Sequence, residues 1–236
     1  MFWWIIATFC AFFVKGLCGF ANTLVFTTLL SFGNNHINIS PVELLLGYPT
    51  NFIIAIKERK SIQWRMCIPL AVLVIAGSIP GAFFLRTVDT SVVKKIFGIV
   101  IVLIGLEMFL REFQKKQGKE SKLLLALIGI LSGILCGLYG IGALLGAYIN
   151  RVTSDSSAFK ANICVVFLVE NTFRIILYSI WGILTLEAFR QVLCLAPVML
   201  LGLGLGMFSG KFMKDTIVQK LVILLLIVSG IALIIR

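Results

Sequence analysis

Charged residues are scarce in this chain. They make up 13% of its 236 residues, whereas soluble globular domains carry roughly 25%. Hydrophobic residues make up 60%, and the mean hydropathy is +1.07. The apolar residues fall into blocks of about 20, the length that spans a bilayer. This composition excludes a soluble domain and predicts an all-α polytopic membrane protein.

Residues for metal or redox chemistry are also few. The single histidine, His36, lies in an uncharged loop, and the six cysteines stand in apolar segments without a C-x-x-C pair. Zinc sites and disulfide frameworks need such clusters, so we expect no metal and no cofactor. Lys and Arg number 21 against 10 Asp and Glu. Because these basic residues collect in short loops, as membrane orientation signals do, we also expect no nucleic acid partner.

Glycine, by contrast, is concentrated in the most apolar stretch, residues 123–148, at positions 129, 133, 137, 140, 142 and 146. Each glycine costs a helix about 1 kcal/mol relative to alanine. A broken backbone in lipid is tolerated only where protein or a polar cavity satisfies it. The stretch therefore predicts two half-helices that meet between Gly137 and Gly142, near a ligand. Residues 14–24 (VKGLCGFANTL) form a second copy of residues 135–145 (LCGLYGIGALL).

Internal similarity divides the chain into two homologous halves of four apolar segments each. The first repeat is 1–112, a basic linker covers 113–121, and the second repeat is 122–236. Each repeat is predicted to contain a broken-helix hairpin and three transmembrane helices, a plan common in transporters. The predicted hairpins are 2–32 and 122–149, and the predicted transmembrane helices are 41–56, 63–86, 91–110, 158–181, 187–210 and 215–235.

The distribution of lysine and arginine distinguishes two topologies. If each glycine-rich segment crosses the membrane fully, giving eight spans, these residues divide eleven to eight between the two faces. If each segment instead returns as a hairpin, they divide fourteen to five. The positive-inside rule favours the hairpins. The two repeats are then inverted, and the basic linker is cytoplasmic.

The chain resembles the sulfite exporter TauE/SafE family, also called the toluene-sulfonate uptake permeases. The similarity rests on GLYGIGALL at 137–145, GLCGFANTL at 16–24 and the ending LLGLGLG at 200–206. It implies a multi-pass permease of the bacterial inner membrane, not an enzyme, that moves a small sulfur oxyanion or sulfonate. The resemblance also favours export. Where the family's hairpin carries glycines, this chain has Ala21-Asn22 and Ala143.

The two glycine-rich breaks supply the candidate binding residues. A half-helix that starts inside the membrane directs free N–H groups and a positive dipole end into the gap, which suits an anion. Amide side chains donate hydrogen bonds to oxyanions. In the alternative interpretation, the glycines only allow close helix packing and the amides only join helices. The candidate substrate-binding residues are Lys15, Gly16, Gly19, Asn22, Thr23, Asn51, Gly137, Gly140, Gly142 and Asn171.

Three ionisable residues lie deep in apolar segments, where charges are costly and are usually paired or functional. Glu170 and Arg174 stand one helical turn apart, as a structural ion pair or as candidates for proton coupling. Lys15 has no acid nearby in sequence. We predict that the counter-charge of Lys15 is the transported anion, with Glu170 as the alternative.

We therefore predict a secondary transporter of a small sulfur-containing anion, with that anion and the lipid bilayer as its partners. Two other functions stay open. Cys18 and Cys136 lie beside the two breaks, and an intramembrane thiol–disulfide redox relay needs two thiols within disulfide reach. A passive anion channel shares every sequence feature of a carrier. The direction of transport and the oligomeric state also stay open.

Overall fold

The computed structural model describes residues 2–31, 39–87, 99, 102–103, 106, 109, 122–139, 142–153 and 155–235. Regular structure in these ranges is helical throughout, which confirms the predicted all-α class for this part of the chain. The helices are α1 (Phe2–Cys18), α2 (Asn22–Ser31), α3 (Ile39–Lys57), α4 (Trp64–Thr87), α5 (Lys122–Tyr139), α6 (Ala143–Val152), α7 (Ser156–Ile180), α8 (Leu186–Phe212) and α9 (Asp215–Ile235).

Within the described part of the chain, four helical segments are long and apolar enough to cross a membrane: α3, Trp64–Gly81 of α4, α7 and α8. The outer surface of α8 is apolar, since Leu193, Leu201 and Phe208 are 73%, 64% and 59% exposed. Charged side chains such as those of Lys15 and Glu43 are buried instead. The hydrocarbon core of a membrane favours this arrangement, in which apolar groups lie on the outside and charged groups lie on the inside.

The first glycine-rich segment breaks between α1 and α2, as predicted. Gly19 and Ala21 have positive φ angles of 85° and 71°, a conformation that ends a right-handed helix. Trp4 of α1 packs edge-to-face on Phe26 of α2, with ring centroids 5.8 Å apart. A continuous helix would separate these residues by about 33 Å. The chain therefore reverses direction at this break.

The second glycine-rich segment breaks between α5 and α6. The last residue of α5 is Tyr139, and α6 begins at Ala143 directly after Gly142. A Cβ on Gly142 would overlap the ring of Phe167 in α7, so a larger residue at this junction would require that ring to move. Gly140, a predicted site residue, lies outside the described residues.

The first helix of each half packs against a long helix of the other half. Helix α1 meets α8 at Gly16, where a Cβ would stand 2.9 Å from the Cα of Gly206. Helix α5 meets α4 in the same way, where a Cβ on Gly133 would stand 2.8 Å from the Cα of Gly77. Small residues allow such close backbone approach in membrane helices. The two interfaces are reciprocal, as two-fold related halves would require.

Helices α3 and α7, which follow the two breaks, pack antiparallel. The hydroxyl oxygens of Ser40, near the start of α3, and Tyr178, near the end of α7, are 3.2 Å apart. Farther along, the Thr172 hydroxyl donates to the hydroxyl oxygen of Tyr48 at 3.2 Å. Eight full spans would make these two helices parallel, because both would be even-numbered crossings. Two hairpins make them antiparallel.

The basic ends of three helices are consistent with the same topology. Lys57, Lys160 and Lys211 line one surface cavity, whereas eight full spans would place Lys57 on the face opposite the other two. The orientation in the membrane and the division into two inverted repeats stay predictions. The described helices α3, α4, α7, α8 and α9 begin and end within two residues of the segments predicted there. The predicted helix 91–110 lies outside the described residues, apart from isolated positions.

Candidate anion-binding site

A small cavity lies where the two breaks meet α3 and α7. Its volume is about 20 Å³, on the scale of a single water molecule. The first break and the end of α1 contribute most of its wall, and Gly142 contributes from the second break, directly before α6. Helices α3 and α7 contribute polar side chains and the ring of Phe167. The lining residues are Lys15, Phe20, Ala21, Asn22, Thr23, Leu24, Glu43, Asn51, Gly142, Phe167 and Asn171.

Lys15 supplies a buried cation at this cavity. Its side chain is 1% exposed, and its Nζ donates to the carbonyl oxygen of Gly47 in α3 at 3.3 Å. The same Nζ lies 5.9 Å from the centroid of the Phe12 ring, within cation–π range. These neutral partners orient the ammonium group. An anion in the cavity would meet a positive charge already shielded from water.

Two helix N-termini also point at the cavity. Helix α2 begins at Asn22, which lines the cavity together with Thr23. Helix α6 begins directly after Gly142, which also lines it and makes no side-chain capping hydrogen bond. The first N–H groups of a helix have no intrahelical partner and carry partial positive charge. Both termini therefore favour negative charge at this place.

Glu43 of α3 is a site residue that sequence analysis missed. Its Oε1 accepts a hydrogen bond from Nδ2 of Asn22 at 2.5 Å and another from Oγ1 of Thr23 at 2.7 Å. A Cβ on Gly47 would stand 3.4 Å from this Oε1 and 3.9 Å from Nζ of Lys15, so carboxylate and ammonium share one small region. The sequence signal was weaker than that of Lys15, because Glu43 stands near the start of its apolar segment and Lys15 near the middle.

Asn51 and Asn171 both line the cavity, one from each of the antiparallel helices. Asn51 is 1% exposed, and its Oδ1 accepts no hydrogen bond from any residue that the structure describes. Buried amide oxygens without a partner are uncommon, because they have lost water without replacement. This unsatisfied oxygen marks the cavity as a place for a polar ligand or an ordered water.

Glu170 and Arg174 form a buried ion pair in α7, with Oε1 of Glu170 3.7 Å from Nε of Arg174. Arg174 also donates from Nη2 to the hydroxyl oxygens of Ser40 and Tyr178, both at 3.2 Å. Neither charged residue lines the cavity. Glu170 is therefore not the partner of Lys15, and the carboxylate nearest that lysine in the described region is Glu43.

Three of the other predicted residues lie away from the cavity wall. Gly16 packs against the backbone of Leu203 and Gly206 in α8. This contact agrees with the alternative interpretation, in which the glycines allow close helix packing. Gly19 forms the turn after α1, with the Lys160 side chain against it. Gly137 is buried within α5 and is not a lining residue. The structure thus brings Lys15, Asn22, Thr23, Asn51, Gly142 and Asn171 together, and leaves these three glycines outside.

The two cysteines beside the breaks, Cys18 and Cys136, are not joined in a disulfide. Cys18 and Cys136 are both buried. Another buried thiol, Cys164 of α7, lies with its Sγ 3.4 Å from the carbonyl oxygen of Gly19. Buried cysteines commonly behave as small apolar residues, and these contacts are of that kind. The redox relay stays an untested alternative.

Comparison with known proteins points to transport. The family model described as "Sulfite exporter TauE/SafE" matches residues 4–233. Over 86 residues the chain is 30% identical to a probable membrane transporter protein of Methanocaldococcus jannaschii. That match covers 35% of this chain and 32% of the relative, so the chain spans about a third of the length of this curated relative. No solved structure matches the chain.

Proposed function

Because the chain belongs to the sulfite exporter TauE/SafE family of membrane transporters, we propose that it carries a small sulfur-containing anion, such as sulfite or an organosulfonate, across the bacterial inner membrane. The observation that carries this proposal is the buried Lys15 ammonium beside two helix N-termini and the amide side chains of Asn51 and Asn171. Export is the direction that the family resemblance favours.

The composition of the cavity suits an oxyanion better than a neutral or cationic solute. A cation would be attracted by Glu43, but it would also meet Lys15 and two positive dipole ends, all of which repel it. A purely apolar solute would offer no hydrogen bond to the unsatisfied amide of Asn51 and no counter-charge to Lys15. A sulfur oxyanion offers several acceptor oxygens in a compact group, and those oxygens match ammonium, amide and backbone N–H donors.

The size of the cavity favours a carrier over a passive channel. With a volume of about 20 Å³, the cavity is smaller than a sulfur oxyanion, so it must widen before the anion enters. Rocking of two inverted repeats around a fixed central site is a common way to achieve this in secondary transporters. The reciprocal packing of α1 on α8 and of α5 on α4 supports such a mechanism. Glu170 and Arg174 act in it as a pair that joins α7 to the start of α3.

Sulfite binding to the purified protein tests the proposal. At 100 times its dissociation constant a ligand stabilises the folded protein by about 2.7 kcal/mol, which raises the melting temperature by roughly 5–11 °C for a chain of this size. We expect this rise with sulfite, or with sulfate, thiosulfate or a small organosulfonate from the same screen. Proteoliposomes should then take up the anion that binds.

Lys15→Gln is the decisive variant, and Lys57→Gln is its matched control. Both remove one lysine charge, but Lys57 is exposed at the end of α3 and does not line the central cavity. We expect Lys15→Gln to lose the anion-dependent rise in melting temperature and Lys57→Gln to retain it. A wild-type protein that none of these anions stabilises, or a folded Lys15→Gln protein that binds sulfite as tightly as the wild type, would overturn the proposal.

A further inference from the structure

Glu43 places a carboxylate where the transported anion should bind. The carboxylate is 4% exposed, and its Oε1 accepts hydrogen bonds from the side chains of Asn22 and Thr23, the first two residues of α2. Helix N-termini are natural sites for an anion. In this conformation Glu43 therefore fills part of the position where the anionic substrate of the proposed transporter would bind. A second anion can join only if something relieves the repulsion.

Ionisable side chains from three helices lie around Glu43, whereas α2 contributes only the uncharged side chains of Asn22 and Thr23. Helix α1 contributes Lys15, and α7 contributes both Arg174 and Glu170. Helix α5 contributes the thiol of Cys136, which is neutral in its protonated form. Two cations then balance two carboxylates, so the empty site is neutral overall. An additional anion would leave a net negative charge in a water-poor region, which is strongly unfavourable.

One proton on Glu43 restores the balance without disturbing the site. A carboxyl group has two oxygens, and protonation of Oε2 leaves Oε1 free to accept from Asn22 and Thr23 as before. The new O–H group also adds a donor to a cavity whose wall holds the unpartnered Oδ1 of Asn51. Glu170 is less suited to this role, because it lies against Arg174 and does not line the cavity.

We propose that Glu43 is a proton-binding site of this transporter, so that each anion is carried together with one proton. The proton enters from the aqueous phase on the loading side, resides on Oε2 while the anion faces Lys15, and leaves as the anion is released on the other side. Lys15 stays charged throughout. This inference rests on the proposed function, since it assigns a coupled ion to the same site.

The test compares sulfite affinity in the wild type and in Glu43→Gln between pH 6 and pH 8. Glutamine keeps the acceptor oxygen for Asn22 and Thr23 and mimics the neutral carboxyl group. Sulfite itself titrates in this range, but that titration is common to both proteins and cancels in the ratio of their dissociation constants. Linkage of one proton makes this ratio rise by up to tenfold per pH unit, with the wild type the weaker binder at high pH.

Glu58→Gln is the control, because it also neutralises one carboxylate, and Glu58 lies just after α3, outside the charges summed above, and does not line the central cavity. Its dissociation constant relative to the wild type should stay constant with pH. The wild type alone supplies a second measurement, which does not depend on the folding of any variant. Its infrared difference spectrum on sulfite binding should show a new carbonyl band from a protonated carboxyl group.

Failures of the two proposals are distinguishable. A wild-type protein that binds no sulfur anion overturns both. Sulfite binding with a pH-independent ratio between the wild type and Glu43→Gln, or with no carboxyl band in the infrared spectrum of the wild type, overturns the proton site and leaves anion transport standing. A ratio for Glu58→Gln that changes with pH as steeply as the ratio for Glu43→Gln would likewise overturn the assignment to Glu43.

Discussion

The contact between α1 and α8 provides a quantitative test of how the helices hold together. A Cβ on Gly206 would overlap the carbonyl oxygen of Phe13 and stand 3.0 Å from the Cα of Gly16. These are backbone atoms, which cannot rotate away as the end of a flexible side chain can, so the two helices must separate. Extra atoms in a well-packed interface cost about 1–3 kcal/mol. We expect Gly206→Ala to lower the free energy of unfolding by that amount.

Gly204→Ala is the control, two residues away on the same helix. A Cβ there meets nothing within 4 Å, and alanine favours the helix by up to about 1 kcal/mol, so this variant should be neutral or more stable. Because the two variants should differ by about 1–4 kcal/mol, thermal unfolding in one detergent should separate them by roughly 2–16 °C. Gly77→Ala, at the reciprocal α4–α5 contact, should behave like Gly206→Ala. If Gly206→Ala and Gly204→Ala have the same melting temperature, the close backbone approach does not stabilise the fold.

Three further predictions address the topology, the first break and the thiols. Accessibility tags should place the 33–40 loop in the periplasm and the 150–157 loop in the cytoplasm, and a periplasmic 150–157 loop would restore eight full spans. Ala21→Gly should raise the melting temperature, because glycine adopts the positive φ of 71° without the cost of about 1–2 kcal/mol that other residues incur; a lower melting temperature would contradict this. The double variant Cys18→Ser/Cys136→Ser should retain anion transport, whereas a folded but inactive double variant would favour the redox relay.

Much of the fold was predictable, because its main features leave local signals in the sequence, namely residues that would be energetically unfavourable in an ordinary transmembrane helix. Glycine clusters in the middle of an apolar run predict a break, and both breaks appear in the structure, at residues 19–21 and just before Ala143. The buried lysine was predictable for the same reason. A charge near the middle of an apolar segment, as at Lys15, is energetically unfavourable unless it is paired or functional. The signals for helix ends were equally direct, since polar and basic residues flank the apolar segments.

The contacts between segments that are distant in sequence could not be predicted. Gly16 has the same local pattern whether it faces a ligand or another helix, and only the position of α8 shows that it packs on Gly206. Glu43 stands four residues after the start of α3. An acidic residue at such a position is usually interpreted as a solvated side chain at a helix end. Its role became visible once the first break folded back and brought Asn22 and Thr23 to its carboxylate.

The two halves build similar frames around the cavity but contribute different charges to it. The counterpart of Lys15 in the second repeat is Cys136, so one half supplies the ammonium group, and the other supplies an uncharged helix N-terminus and the amide of Asn171. A carrier must release its anion as well as bind it, and a cation from each half would hold that anion too tightly. The nearby carboxylate of Glu43 weakens the attraction of Lys15 further. A moderate affinity, adjustable by one proton, therefore follows from an asymmetric site within a frame of reciprocal helix contacts.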